Sequence, residues 1–191
     1  MRGLSKISEA AGAFRFEFAG KVVLDVGSST GGFTEYALAH GAVKVIAVEK
    51  GTNQMIKPLR FDPRVELHEK TDIFDFEFVD LQDLPEIVVA DVSFVSLKKI
   101  LGRLKEMFYD AANKKGRLDN VDYLVMLKPQ FQASPDQLNK GVVKNEKMRR
   151  AIIKDFEVWL KQNGFLVVKK RDNDLAGKHG NVERFYWLRL V

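Results

Sequence analysis

Lys21-Val22-Val23-Leu24-Asp25-Val26-Gly27-Ser28-Ser29-Thr30-Gly31-Gly32-Phe33 reads as a buried strand, a glycine turn and the start of a helix in immediate succession. Val22, Val23, Leu24 and Val26 form a short β-branched apolar run. Gly27, Gly31 and Gly32 let the backbone turn and approach a ligand with no Cβ in the way. The helix then opens beneath that ligand, where its free N–H groups and positive dipole end favour a carboxylate or a phosphate. Strand, turn and helix in this order form a cofactor-binding unit.

A dinucleotide site requires Gly-x-Gly-x-x-Gly, whose middle glycine lets the pyrophosphate press against the backbone. In this chain the middle position is Ser29. Its side chain obstructs a pyrophosphate but can bond a methionine carboxylate, and Asp25, just inside the turn, supplies an acid for an amino group. S-adenosylmethionine is therefore the preferred cofactor. A second strand, 43–48, ends in Glu49, and an acid roughly 20 residues beyond the glycines is where a ribose diol is held in either cofactor.

Outward from this unit the alternation continues. Strands are expected at 65–68, 86–90, 123–127, 165–168 and 185–190, with helices over 32–40, 97–109 and 147–162, the last stopping at Asn163-Gly164. Strands alternating with helices predict an α/β fold with a mostly parallel central sheet and helices on both faces. Ligands of such sheets lie at the carboxyl ends of the strands. The residues there are Gly27, Glu49, Asp91 and Lys128. Asp72, after the third strand, reads equally as a partner for an adenine amino group or as a turn acid. Asp91 and Lys128 would come to one sheet edge as an acid and an amine. A lysine at the end of a buried strand needs a charge partner, so the pair is either a structural salt bridge or a catalytic one.

At 191 residues and 46% hydrophobic content the chain is the size of one large domain, expected to span 1–191. No apolar run approaches the roughly 20 residues that span a bilayer, and no basic-then-apolar signal segment opens the chain, so a cytoplasmic protein with no membrane partner is expected. There is no cysteine, which excludes a thiolate nucleophile. His40, His68 and His179 stand apart in sequence and predict no metal site. Residues 128–191 hold 14 Lys and Arg against 7 Asp and Glu, an excess of 7 in a chain of net charge +5, so residues 1–127 carry −2. Lys140, Lys144, Lys147, Arg149, Arg150 and Lys154, followed by Lys169, Lys170, Arg171 and Lys178, form the footprint expected for a phosphate backbone.

The segments Arg2-Gly3-Leu4-Ser5-Lys6, Leu24 to Thr34, Asp91-Val92-Ser93-Phe94-Val95-Ser96-Leu97, Leu127-Lys128-Pro129-Gln130-Phe131 and Gly180-Asn181-Val182-Glu183 together resemble the haemolysin A-like (TlyA) family of ribosomal RNA methyltransferases, within the FtsJ-like superfamily. The resemblance runs through nearly the whole chain in order. It implies a class I S-adenosylmethionine-dependent methyltransferase fold, Rossmann-like, and a tetrad of Lys6, Asp91, Lys128 and Glu183 that methylates a ribose 2′-hydroxyl. It also implies that Gly27, Ser28, Ser29, Gly31, Gly32, Glu49, Asp72 and Asp91 surround the cofactor. Ribosomal RNA or a ribosomal subunit is the implied partner. Two departures stand out: the family's usual N-terminal S4-type RNA-binding domain is not expected in this chain, and the first motif ends Ser-Lys-Ile where the family has Lys-Leu. Phe94 and Phe131 are read either as base-stacking groups or as residues buried beneath the site. Competing readings are a methyltransferase acting on a small molecule or protein, a noncatalytic RNA-binding module of the same fold, and a membrane-active lysin.

Overall fold

The computed structural model describes residues 2–78, 83–115, 120–173 and 180–190. Five parallel strands, β1 (Val22–Val26), β2 (Lys44–Val48), β3 (Val65–His68), β4 (Ile87–Ala90) and β5 (Asp122–Leu127), lie in the order β3-β2-β1-β4-β5. Two further strands extend the sheet beyond β5: β9 (Arg184–Leu190) runs antiparallel to β5, and β8 (Phe165–Asp172) runs antiparallel to β9 at the edge. A small hairpin, β6 (Leu138–Asn139) with β7 (Val142–Val143), stands apart from the sheet. The expected class I methyltransferase architecture is what the chain adopts.

Both faces of the sheet are buried because β1, β2, β4 and β5 are apolar apart from Asp25 and the opening residues Lys44 and Asp122. On one face, helices α4 (Leu97–Lys115) and α5 (Glu146–Gln162) press Leu97, Ile100, Leu101, Leu104, Phe108, Ile153, Phe156 and Leu160 against Leu24, Val88, Val125 and Tyr186. Those helical residues recur at three- and four-residue spacing, which lines one face of each helix. Asn145 caps α5 by accepting the Met148 N–H at 2.9 Å.

The other face is covered by α2 (Gly32–Ala39), the short α3 (Lys57–Arg60) and a 13-residue helix, α1 (Arg2–Phe14). The N-terminal region, read from sequence only as a short segment, is this helix. Its inward face is Leu4, Ile7, Ala10, Ala11 and Phe14, and it packs mainly on α2. Gly32 makes that packing possible: a Cβ there would fall 2.7 Å from the Leu4 backbone nitrogen. The expected strand at 165–168 also runs longer, to Asp172, because β9 gives it a partner along its whole length.

Candidate active site

The pleat sends alternate residues of each strand to opposite faces. Val23, Val89, Leu124, Met126 and Phe185 belong to the core beneath α1 and α2. Asp25, Asp91, Lys128 and Glu183 continue that same alternation, so all four turn toward α1 and α2 at the carboxyl edge of the parallel strands. Leu127 pairs with Arg184 across the antiparallel ladder, and the next step brings Lys128 opposite Glu183. The register joins two residues 55 positions apart in sequence.

Two ion pairs form there. Lys128 Nζ stands 2.6 Å from Asp91 Oδ1 and donates to Ser93 Oγ at 2.8 Å. Lys6, from α1, pairs with Glu183, both almost wholly buried at 6% and 3% exposure. The four residues of the expected tetrad thus lie in two ion pairs at this edge, and in one of them an acid and an amine come from sequence positions 177 apart. Taking two such charges from water is costly unless each meets its counter-charge, so the pair fixes where α1 lies. Asn173 N–H donates to the Glu183 carbonyl at 2.8 Å, and the Asn181 side chain bonds Gly141 and Val143 of the β6–β7 hairpin, locking the Glu183 segment from both sides.

The glycine turn sits beside this cluster. Gly31 has φ +92° and leaves α2 without a side-chain cap, so the first N–H groups of the helix face the turn. Ser28 is buried, and its Oγ has no partner among the described residues. A Cβ at Gly27 would lie 3.3 Å from the Asp91 carbonyl oxygen. An unpartnered buried hydroxyl, an uncapped helix start and a side-chain-free backbone fit the amino-acid end of S-adenosylmethionine.

Asp25 lies under the turn rather than on its surface. It is 1% exposed, its Oδ2 accepts the Thr34 hydroxyl of α2 at 2.7 Å, and Oδ1 has no hydrogen-bond partner among the described residues. Burial pushes its carboxyl up to about 7; the Thr34 bond opposes this, and the charges of Asp91 and then Glu49 add to it. At the end of β2, Glu49 accepts backbone N–H groups from Ser29 at 2.8 Å and Gly51 at 2.6 Å. Asp72 accepts from Lys50 Nζ at 2.9 Å and from the Phe74 N–H at 3.1 Å, and the bond from Lys50 holds its carboxyl below the usual range. Asp72 is thus a turn acid at the expected strand end, at the rim of the same edge.

The basic footprint divides. Lys140, Lys144, Lys147, Arg150 and Lys154 are exposed and make no ion pair among the described residues. Arg149 is different: it is tucked against Asp172, Glu146 and the Val182 carbonyl. Lys169 donates to the Phe14 carbonyl, Lys170 pairs with Glu157 and Arg171 with Glu9, so the second cluster chiefly fastens α1 and α5 to the edge strand. Lys178 lies outside the described residues. Phe94, next to Lys128's partner Ser93, is 92% exposed at φ +64° and meets Phe131 at 5.2 Å between ring centroids. The alternative of burial fails for Phe94.

His40 stacks on Tyr36, and His68 bonds Glu66. His179 lies outside the described residues. Among the described residues no group of three His, Asp or Glu side chains could hold a metal ion, and no helix is long and apolar enough to cross a membrane.

A profile of the FtsJ-like methyltransferase family matches residues 1–190. The chain is similar to the 16S/23S rRNA (cytidine-2′-O)-methyltransferase TlyA of Mycobacterium tuberculosis, at 35% identity over 189 residues that cover 98% of this chain and 67% of that protein. It is also similar to Hemolysin A of Brachyspira hyodysenteriae, at 32% identity with 95% and 73% covered. A crystal structure from Lactococcus lactis that bears a hemolysin name superposes with a TM-score of 0.90 at 34% identity, covering all of this chain and 88% of that one. The chain spans about two-thirds of the length of the Mycobacterium relative.

Proposed function

The chain belongs to the FtsJ-like methyltransferase family, and from that premise we propose that it transfers the methyl group of S-adenosylmethionine to a ribose 2′-hydroxyl of ribosomal RNA. The observation that carries this reading is the pair of ion pairs, Lys6 with Glu183 and Lys128 with Asp91, at the sheet edge beside the glycine turn. A methyltransferase acting on a polarised nitrogen or a thiol has less use for two lysines at that place.

When bound, the cofactor supplies a methyl already activated by its sulfonium. Ser28, the turn glycines and the start of α2 would hold its amino-acid end, Glu49 its ribose and Asp72 the side nearer its adenine. What remains for the protein is to bring a weak nucleophile into line, and orientation alone supplies several kcal/mol of a barrier. An ammonium has three N–H groups. Lys128 donates one to Ser93 and is held in an ion pair with Asp91, which leaves N–H capacity to fix the ribose oxygen and stabilise the negative charge growing on it. Lys6 and Glu183, fixed by burial, set the far wall against which the ribose rests. Transfer would exchange the cofactor's C–S bond for an O–C bond, and the hydroxyl proton would leave to water at the rim.

Exposed Phe94 supports stacking of an unpaired base beside its ribose, and the unpaired lysines and arginine of 140–154 support a path for the flanking phosphates. An RNA substrate, free or in a ribosomal subunit, places the protein in the cytoplasm.

The test is transfer of labelled methyl to ribosomal RNA, free and in purified subunits, by the wild-type chain and by Lys128→Ala. Wild-type transfer is expected, with a loss of about 100-fold or more in the variant at unchanged cofactor affinity, the scale of removing one group that stabilises developing charge. Equal transfer by both would remove Lys128 from the chemistry.

A further inference from the structure

Gln54 takes no part in either ion pair, yet it closes a ring of hydrogen bonds beside the glycine turn. Glu49 Oε1 accepts from the Gly51 N–H at 2.6 Å and from Gln54 Nε2 at 3.3 Å, while Oε2 accepts the Ser29 N–H at 2.8 Å. Ser29 Oγ in turn donates to Gln54 Oε1 at 3.1 Å. The ring ties together the loops that follow two neighbouring parallel strands, β1 and β2. It passes through space that any side chain at position 51 would fill, since a Cβ there would fall 1.8 Å from Gln54 Nε2.

We infer that Gln54 is a positioning residue for the cofactor's ribose: its amide, admitted by the bare backbone of Gly51, ties Glu49 to Ser29 and sets the gap between the ribose acid and the glycine turn. The inference rests on the reading of Glu49 as the group that takes the ribose hydroxyls. A carboxylate has about four lone-pair sites. Three are occupied, so the side chain is held in one orientation with a site to spare, and the cost of ordering it is met before the cofactor arrives. Ser29, at φ +47°, sits in a conformation a non-glycine residue adopts only when its surroundings fix it, and its two bonds to Glu49 and Gln54 do so.

The experiment measures binding of S-adenosylhomocysteine by calorimetry to the wild type, Gln54→Ala, Gly51→Ala, the double variant and Glu49→Ala, with steady-state transfer alongside. Loss of a hydrogen bond to a charged group predicts about tenfold weaker binding for Gln54→Ala, expressed in KM for the cofactor far more than in kcat, with Tm little changed. Gly51→Ala, whose Cβ would meet the Gln54 amide at 1.8 Å and Glu49 Oε1 at 3.0 Å, should bind at least as weakly. The double variant should bind no more weakly than Gly51→Ala, because both changes act on the Gln54–Glu49 contact. Wild-type binding by Gln54→Ala, or losses that multiply in the double variant, would overturn the inference. If Glu49→Ala weakens binding while Gln54→Ala does not, only the role of Gln54 falls. If Glu49→Ala binds like the wild type, the ribose reading falls and takes this inference with it.

Discussion

Asp25 is a carboxyl in the middle of a sheet, and its consequences are those of a single buried group. Its ordinary value of 3.8 is raised in the folded state to about 7. Between those values the native state holds a proton that the unfolded state has lost, so stability falls as pH rises from about 4 to 7 and is flat above. The full cost, on the order of 4 kcal/mol at about 1.4 kcal/mol per unit, is present at pH 8 and absent near pH 4. Asn at this position keeps an acceptor for Thr34 but cannot ionise. Denaturant unfolding of wild type and Asp25→Asn at pH 5 and pH 8 should show the balance moving toward the variant at the higher pH; a difference independent of pH would mean that Asp25 does not titrate in that window. Residue by residue, the sequence was most readable where a polar group closes an apolar strand: Asp91, Lys128 and Glu49 all stand at the expected edge. Gln54 had no such signal, because an exposed glutamine in a loop acquires meaning only from what Gly51 leaves open.

Helix α1 shows why elements were less readable than strand ends. Its inward residues, Leu4, Ile7, Ala10, Ala11 and Phe14, do follow helical spacing, but Gly3, Ser5, Ser8 and Gly12 dilute the pattern with weak helix formers. The helix is held by tertiary contacts more than by propensity, chiefly the close approach of Leu4 to Gly32 and the buried pair of Lys6 with Glu183. Gly32→Ala should therefore push α1 outward, since the clash is with backbone that cannot rotate away. A cost of about 1–3 kcal/mol from overpacking is expected, together with a larger loss of methyl transfer than of cofactor affinity. Thermal unfolding and paired binding and rate measurements check this. An unchanged Tm with full activity would show that α1 does not set the position of Lys6. The strands β1, β2 and β4, in contrast, were plain from their β-branched runs. The β6–β7 hairpin was not read from the sequence although Lys140 and Gly141, both at positive φ, form its two-residue turn; Asn181 bonds Gly141 and Val143 from 40 and 38 residues away.

Across the whole molecule, net charge was a correct guide to a basic last third and a poor one to which charges are available. Lys169, Lys170 and Arg171 are engaged by partners within the chain, whereas Lys140, Lys144, Lys147, Arg150 and Lys154 are exposed with no ion pair among the described residues. If these five meet phosphates, RNA affinity should fall with salt with a log–log slope of roughly −3 to −5. Lys147→Glu with Arg150→Glu should flatten that slope by about 2, and Lys170→Glu should leave it nearly unchanged; equal effects would place the RNA elsewhere. The acceptor atom decides whether the two lysines serve ribose chemistry at all. The most direct measurement is to label ribosomal RNA with the methyl of S-adenosylmethionine, digest it with alkali and find where the label goes. A 2′-O-methyl group removes the hydroxyl that alkali needs to cleave the adjacent phosphodiester, so the predicted result is label confined to alkali-resistant dinucleotides and absent when Lys128 is Ala. Label in ordinary mononucleotides would mean that a base is methylated and would contradict a role for Lys6 and Lys128 in ribose methylation.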